Sequence, residues 1–552
     1  MKIYSKLILS TILSIAFLTG CSDYLDVEPR SIWESNSFYS SAEEAQLALA
    51  GIYRVIAEDN CYGQTILFLD AGTDEAYHNR RNSESWQYSL YRNTSAYPHA
   101  ATFWTALYEA INLANLYIES LNPDTMEEDD YNALIAEAKF LRAFCYFNLT
   151  NFWNEVPLRL KSSKDQSDNN QPAASLTELY NVMIADFTEA YENLPNPMEA
   201  TPGRANSMAA RGLLARLYLK MSGFPYQENH YQDAFDQCQA IIASGYHSLT
   251  KVDSDTTGYE SVFKDLIGSV YNTEEVIFEL SYQNLRDQGL FVNGRYGNLN
   301  GLNFGSVATL GVPNGYGMYG VMPTLSSLYD KEFDKRAAWN TPGFSRNGSG
   351  DIREADELSI TSFCPGKYRR WEPANFDDIL VESEDEPYVV LENAQSTLSR
   401  NFTSINVPIL RYSDVLLMAA EAENQLRGPG GALQYINEVR VRAGLDLLEN
   451  AEPTTAADQT LFHEEIIDER SRELCFENLR KFDLIRWGKL GEKLERVRAI
   501  VTGHPDFRET NSSHTSILRG ANNFDPSKHL SLPYPLFEVN INQALEQKPE
   551  WQ

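Results

Sequence analysis

Ala136-Glu137-Ala138-Lys139-Phe140-Leu141-Arg142-Ala143-Phe144-Cys145-Tyr146-Phe147-Asn148-Leu149 is the stretch on which the fold turns. In the wider run from about Glu127 to Phe152, Leu134, Ala138, Leu141, Cys145, Leu149 and Phe152 make one side nearly all apolar. Spacings of three and four residues are those of a helix that buries one face. Upstream, Ser41 with Glu44 reads as a capping box ahead of Ala45, Leu49, Ile52, Tyr53 and Ile56. A helix beginning near Thr102 carries Trp104, Leu107, Tyr108, Ile111 and Leu116. Downstream, Ser175 with Glu178 caps a helix with Leu179, Tyr180, Met183, Ile184, Phe187 and Tyr191, and Pro195 stops it. Two more are expected at about 206–221 and 231–244, the second ended by Gly245.

These helices come in pairs with short turns, and Ala138, Ala143, Ala209, Gly212 and Ala215 sit where helices would cross closely. One pair alone cannot bury its apolar face, so such pairs stack. The spacing lacks a clean 34-residue period. The expected fold is therefore mainly α: degenerate tetratricopeptide-like helical repeats with a loop-rich, partly β insertion. The insertion is 246–407, where Gly, Asn, Ser, Asp and Tyr dominate and short β-like runs such as Val276–Leu280 and Tyr388–Leu391 appear. Loops this extensive are usually functional. Helix returns in Ile409–Leu426, Ala432–Ala443 and Glu464–Gly488.

The N-terminus has a different physics. Lys2 and Lys6 precede Leu7–Leu18, a run without charge that is too short to span a bilayer, which needs about 20 apolar residues. A basic start followed by such a run is a secretory signal. Leu18-Thr19-Gly20-Cys21 resembles a bacterial lipobox, in which the cysteine is acylated and becomes the new first residue. The acidic stretch from Ser22 to Asp26 resembles the surface-export signal of Bacteroidota lipoproteins. The organisation expected is a signal peptide at 1–20, a lipid-anchored tether at 21–40, helical regions at 41–245 and 408–552, and the insertion between them.

Net charge of −31 repels phosphate backbones, so nucleic acid is not an expected partner. Aromatic content of 12% with 31 Tyr is high, and Tyr and Trp stack on sugar rings. Beyond Cys21, Cys61, Cys145, Cys238, Cys364 and Cys475 lack any CxxC spacing, which points to neither a metal site nor a disulfide framework. Cys145, Cys238 and Cys475 read as small buried hydrophobes. Gly315-Tyr316-Gly317-Met318-Tyr319-Gly320 matches GxGxxG but is followed closely by Pro323, so a flexible loop is expected rather than a dinucleotide site. His463-Glu464-Glu465 lacks the second His of a zinc protease motif, and GxSxG and P-loop patterns are absent. No cofactor, metal or catalytic group is expected.

Four places carry a resemblance to a known family. They are C-S-D-Y-L-D-V-E-P at 21–29; the stretch at 136–149 with V-P-L at 156–158; L-R-Y-S-D-V-L-L-M-A-A-E-A at 410–422 with I-N-E-V-R-V-R-A-G-L at 436–445; and D-E-R-S-R-E-L-C-F-E-N-L-R-K-F-D-L-I-R-W-G-K-L at 468–490 with L-P-Y-P at 532–535. In this order they resemble the SusD/RagB family of cell-surface lipoproteins. The tail departs from the family's usual ending, with Lys548-Pro549-Glu550-Trp551. The resemblance implies a non-catalytic glycan binder that serves a SusC-like TonB-dependent outer-membrane transporter. The same fold binding peptide or glycopeptide, and a surface glycoside hydrolase, are the alternatives. Physically, the charges of 468–490 alternate with apolar residues and read as pairs along and between helices, hence as architecture.

The family's glycan binders use aromatic and polar residues on loops above the scaffold. The first candidate loop is 70–99, with Asp70, Asp74, Glu75, His78, Asn79, Arg80, Arg81, Trp86, Tyr88, Tyr91, Asn93, Tyr97 and His99. Trp86 is expected to stack on the ligand and Arg81 to bond it, whereas Trp104 begins a helix face and is expected in the core. The second is 291–320, with Tyr296, Asn298, Asn300, Asn303, Tyr316 and Tyr319, and the third lies around Tyr368, Arg369 and Trp371.

Overall fold

The computed structural model describes residues 41–552 apart from 80–85, 166–167, 169, 252–257, 286–289, 304–313, 347–351, 355–358, 362, 374–387 and 394–400. The signal, Cys21 and the tether lie outside the described residues. Helix α1 (Ala42–Ala57) begins at Ser41, whose side chain accepts from the Glu44 N–H. Ala45, Leu49, Ile52 and Ile56 are buried, as their spacing predicts. α2 (Pro98–Ser120) starts four residues earlier than its apolar face implies, because Pro98 opens the first turn, where its missing N–H costs nothing. Leu116 points partly outward instead of joining Trp104, Leu107, Tyr108 and Ile111 in the core.

α3 (Glu128–Trp153) is central: from Leu134 to Trp153 nearly every residue is buried, polar ones included. α4 (Leu176–Asn193) has the full reciprocal capping box between Ser175 and Glu178. α5 (Ser207–Ser222) and α6 (Tyr231–Ser244) follow, the latter ended by Gly245 in the left-handed region at φ 68°. From α1 to α6 each helix packs on the next, the stacking expected of helical repeats. A Cβ added at Gly212 would sit 2.1 Å from Leu410 Cδ2, so this glycine lets α5 press against the neighbouring strand.

The central stretch is less irregular than its composition implies. It contains α7 (Gly258–Ile267), which loop-like flanks conceal in the sequence. Strand β1 (Ala76–His78) and strand β2 (Val276–Leu280) are both fully buried. β1 pairs antiparallel with β3 (Tyr319–Val321), so the end of the GxGxxG segment is strand, not flexible loop. β2 pairs antiparallel with β4 (Val407–Arg411), and the register shifts around Leu410. Residues 409–411 are therefore strand rather than the start of a helix.

α8 (Tyr412–Arg427) packs on α6, on α9 (Pro429–Arg442) and on α10 (Gln459–Leu474). The expected helix from 464 to 488 is two helices, because Phe476 and Asn478 hold positive φ of 64° and 61° between α10 and α11 (Arg480–Arg486). Bulky residues adopt that conformation only when their surroundings enforce it. Here the surroundings are ionic. Arg336, fully buried, is held by Asp334, Glu469 and Glu473. Arg411 meets Glu275, Glu473 and Glu477, and Arg442 meets Glu275 and Glu473. Arg470 bridges Asp414 and Asp483, while Arg486 reaches Glu421 and Asp483. The charges of 468–490 are thus framework. Among the described residues the larger of two apolar clusters runs from Ala45 to Leu545 through all three expected regions, with Cys145, Cys238 and Cys475 inside it.

Candidate functional site

The pairing of β1 with β3 brings the first two candidate loops together, and the Asn79 N–H extends it by donating to the Met318 carbonyl at 2.9 Å. Most of the aromatic residues expected to face a ligand instead form the floor of this junction. Trp86, 2% exposed, stacks on His78 at 3.9 Å and meets Phe68 at 4.9 Å. Tyr88 and Tyr91 lie against the Lys481 ammonium, 3.7 and 4.5 Å from the ring centres, and the Tyr91 hydroxyl donates to the Gly72 carbonyl at 2.7 Å. Tyr296 accepts from Asn478 Nδ2 at 2.6 Å, and the Tyr319 hydroxyl donates to the Leu67 carbonyl at 2.6 Å. Trp371 sits in a two-stranded pairing with Val390 and packs on Phe344. The expectation of open stacking surfaces at Trp86, Tyr88, Tyr91, Tyr296, Tyr319 and Trp371 is corrected: each ring fills space between segments that only the tertiary fold brings together.

Asp74 and Glu75 are framework too. Arg480 donates to both Asp74 oxygens at 2.9 and 2.7 Å, and Ser471 donates to Glu75 at 2.8 Å. Burial pushes the Glu75 carboxyl up to about 8, more than Arg480 lowers it. Arg80 and Arg81 lie outside the described residues. Trp104 is in the core, as its helix face predicts.

Tyr316 is half-buried. Its backbone N–H donates to the Asn298 carbonyl at 2.7 Å, and its hydroxyl bonds Asn401 Oδ1 at 2.8 Å. The Arg295 guanidinium lies 5.7 Å from the ring centre. Arg295 donates to Gln64 Oε1 at 3.0 Å and to Asn298 Oδ1 at 3.2 and 2.8 Å. Burial holds this guanidinium below its ordinary value. Three hydrogen-bonded junctions fix the patch. The Arg295 N–H donates to the Gly63 carbonyl at 2.7 Å, Gly294 exchanges hydrogen bonds with Thr403, and buried Asn298 donates to the Asn314 carbonyl at 3.1 Å. Gly297 permits the approach: its φ is 73°, and a Cβ there would lie 2.4 Å from the Tyr368 carbonyl oxygen.

Gln64, Arg295, Tyr316 and Asn401 therefore form one partly exposed patch, an aromatic face beside a cation and two amides. Such a set packs the C–H face of a sugar and bonds its hydroxyls. Arg295 stands beside Tyr296 in the second candidate stretch, and that adjacency was its only signal; Gln64 and Asn401 have none, since the fold alone brings them there. A cavity of about 60 Å³ lies elsewhere, among Tyr62, Phe144, Arg470, Asn478, Phe482 and Arg486. Its arginines are committed to Asp414, Asp483 and Glu421.

Residues 386–551 match the model of the SusD family, and 23–219 match a second family model described as starch-binding and associating with the outer membrane. The chain belongs to the SusD/RagB family. Among relatives of this SusD-family chain, the SusD-like protein P25 of Formosa agariphila is 28% identical over 550 residues, 95% of each chain. A solved SusD homolog from Bacteroides thetaiotaomicron superposes with a TM-score of 0.77 at 23% identity, covering 95% of this chain and all of the other. A solved laminarin-binding SusD-like protein superposes with a TM-score of 0.66 at 22% identity, covering 93% of this chain and all of the other. The mainly helical SusD fold, carbohydrate binding and outer-membrane association are those of the family.

Proposed function

We propose that this SusD-family chain is a non-catalytic cell-surface lipoprotein that captures oligosaccharide and delivers it to a SusC-like TonB-dependent transporter. Lipid on Cys21, which becomes the first residue when the 1–20 signal is removed, is the tether. The observation that carries the binding reading is the patch of Tyr316, Arg295, Gln64 and Asn401, standing where the segments after α1, before β3 and before β4 converge. The family model described as starch-binding and the laminarin-binding neighbour favour a glycan over a peptide. Arg80 and Arg81, which follow β1 in the sequence and lie outside the described residues, remain proposed ligand contacts.

Incubation of the purified protein with a panel of soluble polysaccharides tests this. The expected result is retention by at least one polysaccharide in affinity electrophoresis, with no new reducing ends. Release of reducing ends would replace the reading with a surface hydrolase.

A further inference from the structure

The segment after α3 is a long hairpin, closed by antiparallel pairing of Val156–Pro157 with Ala173–Ala174. Hairpin loops typically run about two to five residues, so one this long does more than join two strands. A groove of about 580 Å³ opens along it, within the range of about 300–1,000 Å³ usual for small-ligand sites. Two elements hold the loop's backbone. Asn115 of α2 donates to the Arg159 and Lys161 carbonyls at 3.0 and 3.3 Å, and the Ser163 N–H donates to Asn112 Oδ1 at 2.8 Å. Beyond the C-terminal helix Leu536–Ile541, Asn542 accepts from the Gln171 N–H at 3.1 Å and donates to the Gln171 carbonyl at 2.8 Å.

The charges in the lining are unequally committed. Both Glu119 oxygens accept from Ser162, at 3.0 Å from its N–H and 2.6 Å from its hydroxyl. Asp168 Oδ2 accepts the N–H groups of Lys164 and Asp165 at 2.7 and 3.3 Å. Arg159 is paired with Glu538 at 3.0 Å. Lys161 and Lys164 are exposed, and neither ammonium has an ion pair or hydrogen bond among the described residues. Both act through space on Glu119: burial raises its carboxyl, but the Ser162 bonds and then the two lysines hold it below the ordinary value. The Ser163 hydroxyl is also uncommitted among the described residues, and Gln171 donates to the Asp168 carbonyl at 3.3 Å while its side-chain oxygen stays free. No aromatic residue is among the described residues of the lining, so a neutral sugar would find no stacking face. The lining instead sets three cations against two carboxylates, in a chain whose net charge is −31.

We infer that this groove is a subsite for an acidic sugar, holding the carboxylate or sulfate of one sugar unit between Lys161 and Lys164 and its hydroxyls on Ser163 and Gln171. The inference rests on the reading of the protein as a glycan binder and adds a class of sugar to it. The groove shares no residue with the Tyr316 patch. A carboxylate and a sulfate ester present the same chemistry to two ammonium groups, and the ligand itself distinguishes them.

Calorimetric and NMR titration of the mature chain at low salt tests the subsite, with D-galacturonate, D-glucuronate and D-galactose 6-sulfate against D-galactose, D-glucose, acetate and inorganic sulfate. At least one acidic sugar is expected to bind about tenfold more tightly than its neutral parent and than either simple anion. Binding of the uronates alone assigns a carboxylate, and of the sulfated sugar alone a sulfate; either supports the subsite. Lys161→Gln/Lys164→Gln should fall to the neutral-sugar level, Lys161→Arg/Lys164→Arg should stay near wild type, and added salt should weaken wild type alone. Both positions are exposed, so Tm should not move in either variant. Tyr316→Ala should bind the acidic sugar normally, and the Gln variant should be retained by a neutral polysaccharide as wild type is. Equal binding of acidic and neutral sugars, equal binding by the Gln variant, or acetate or sulfate binding as tightly as the sugars overturns the subsite. Absence of acidic-sugar binding beside intact polysaccharide retention overturns the subsite alone, whereas absence of retention by every polysaccharide overturns the glycan reading beneath it.

Discussion

Trp86 and Tyr316 show how one residue type divides between packing and binding. Both are aromatic and both lie in polar, loop-like sequence, yet Trp86 is clamped by His78 and Phe68 while Tyr316 is only half-buried. Trp86→Ala is therefore expected to destabilise the fold by about 3–5 kcal/mol, the cost of emptying a core site, seen as a lower Tm. An unchanged Tm would place the ring at the surface. Arg295→Met keeps the apolar stem and removes the donors, so it should leave Tm within a few degrees of wild type and weaken polysaccharide retention. Local sequence singled out two segments that the fold brings together, because polarity and aromatic content mark loops. It did not separate floor from rim, since whether a ring is covered depends on partners such as His78, Lys481 and Phe344, distant in sequence from some of the rings they cover.

The helices were legible because each buries a continuous face, and periodicity reports that directly: α3, α4 and α6 lie within two residues of where it places them. What periodicity missed has a physical reason. The run from α10 to α11 keeps a helical rhythm across Phe476 and Asn478, but the ionic network turns the chain there so that Glu477 meets Lys367 and Arg411 and Asn478 meets Tyr296. Removing one partner from such a network leaves a buried charge uncompensated, so Glu473→Gln should cost about 3–5 kcal/mol in denaturant unfolding. The network also sets an acid limit. Burial alone raises the carboxyls of Asp414, Glu421 and Glu469, but the guanidiniums facing them outweigh it and hold all three down at about 2. Unfolded carboxyls titrate near about 4, so this stabilisation is complete above that pH and is lost as pH falls toward 2. Thermal melts across that window should show a steep fall in Tm; a flat profile would mean that the network adds no net stability.

For the whole molecule, the proposed lipid on Cys21 holds an acidic binder beside a transporter and raises its effective concentration there, so direct docking need not be tight. Cys21→Ala should bind polysaccharide normally in solution yet fail to support uptake by cells; full uptake by that variant would make the tether dispensable. That experiment concerns delivery, whereas the central claim is capture at the Tyr316 patch. Affinity electrophoresis of wild type and Tyr316→Ala side by side, through gels containing the retained polysaccharide, tests it most directly. The account predicts that wild type is retarded, that Tyr316→Ala migrates as it does without polysaccharide, and that the two have the same circular dichroism. Equal retardation of both proteins would contradict it.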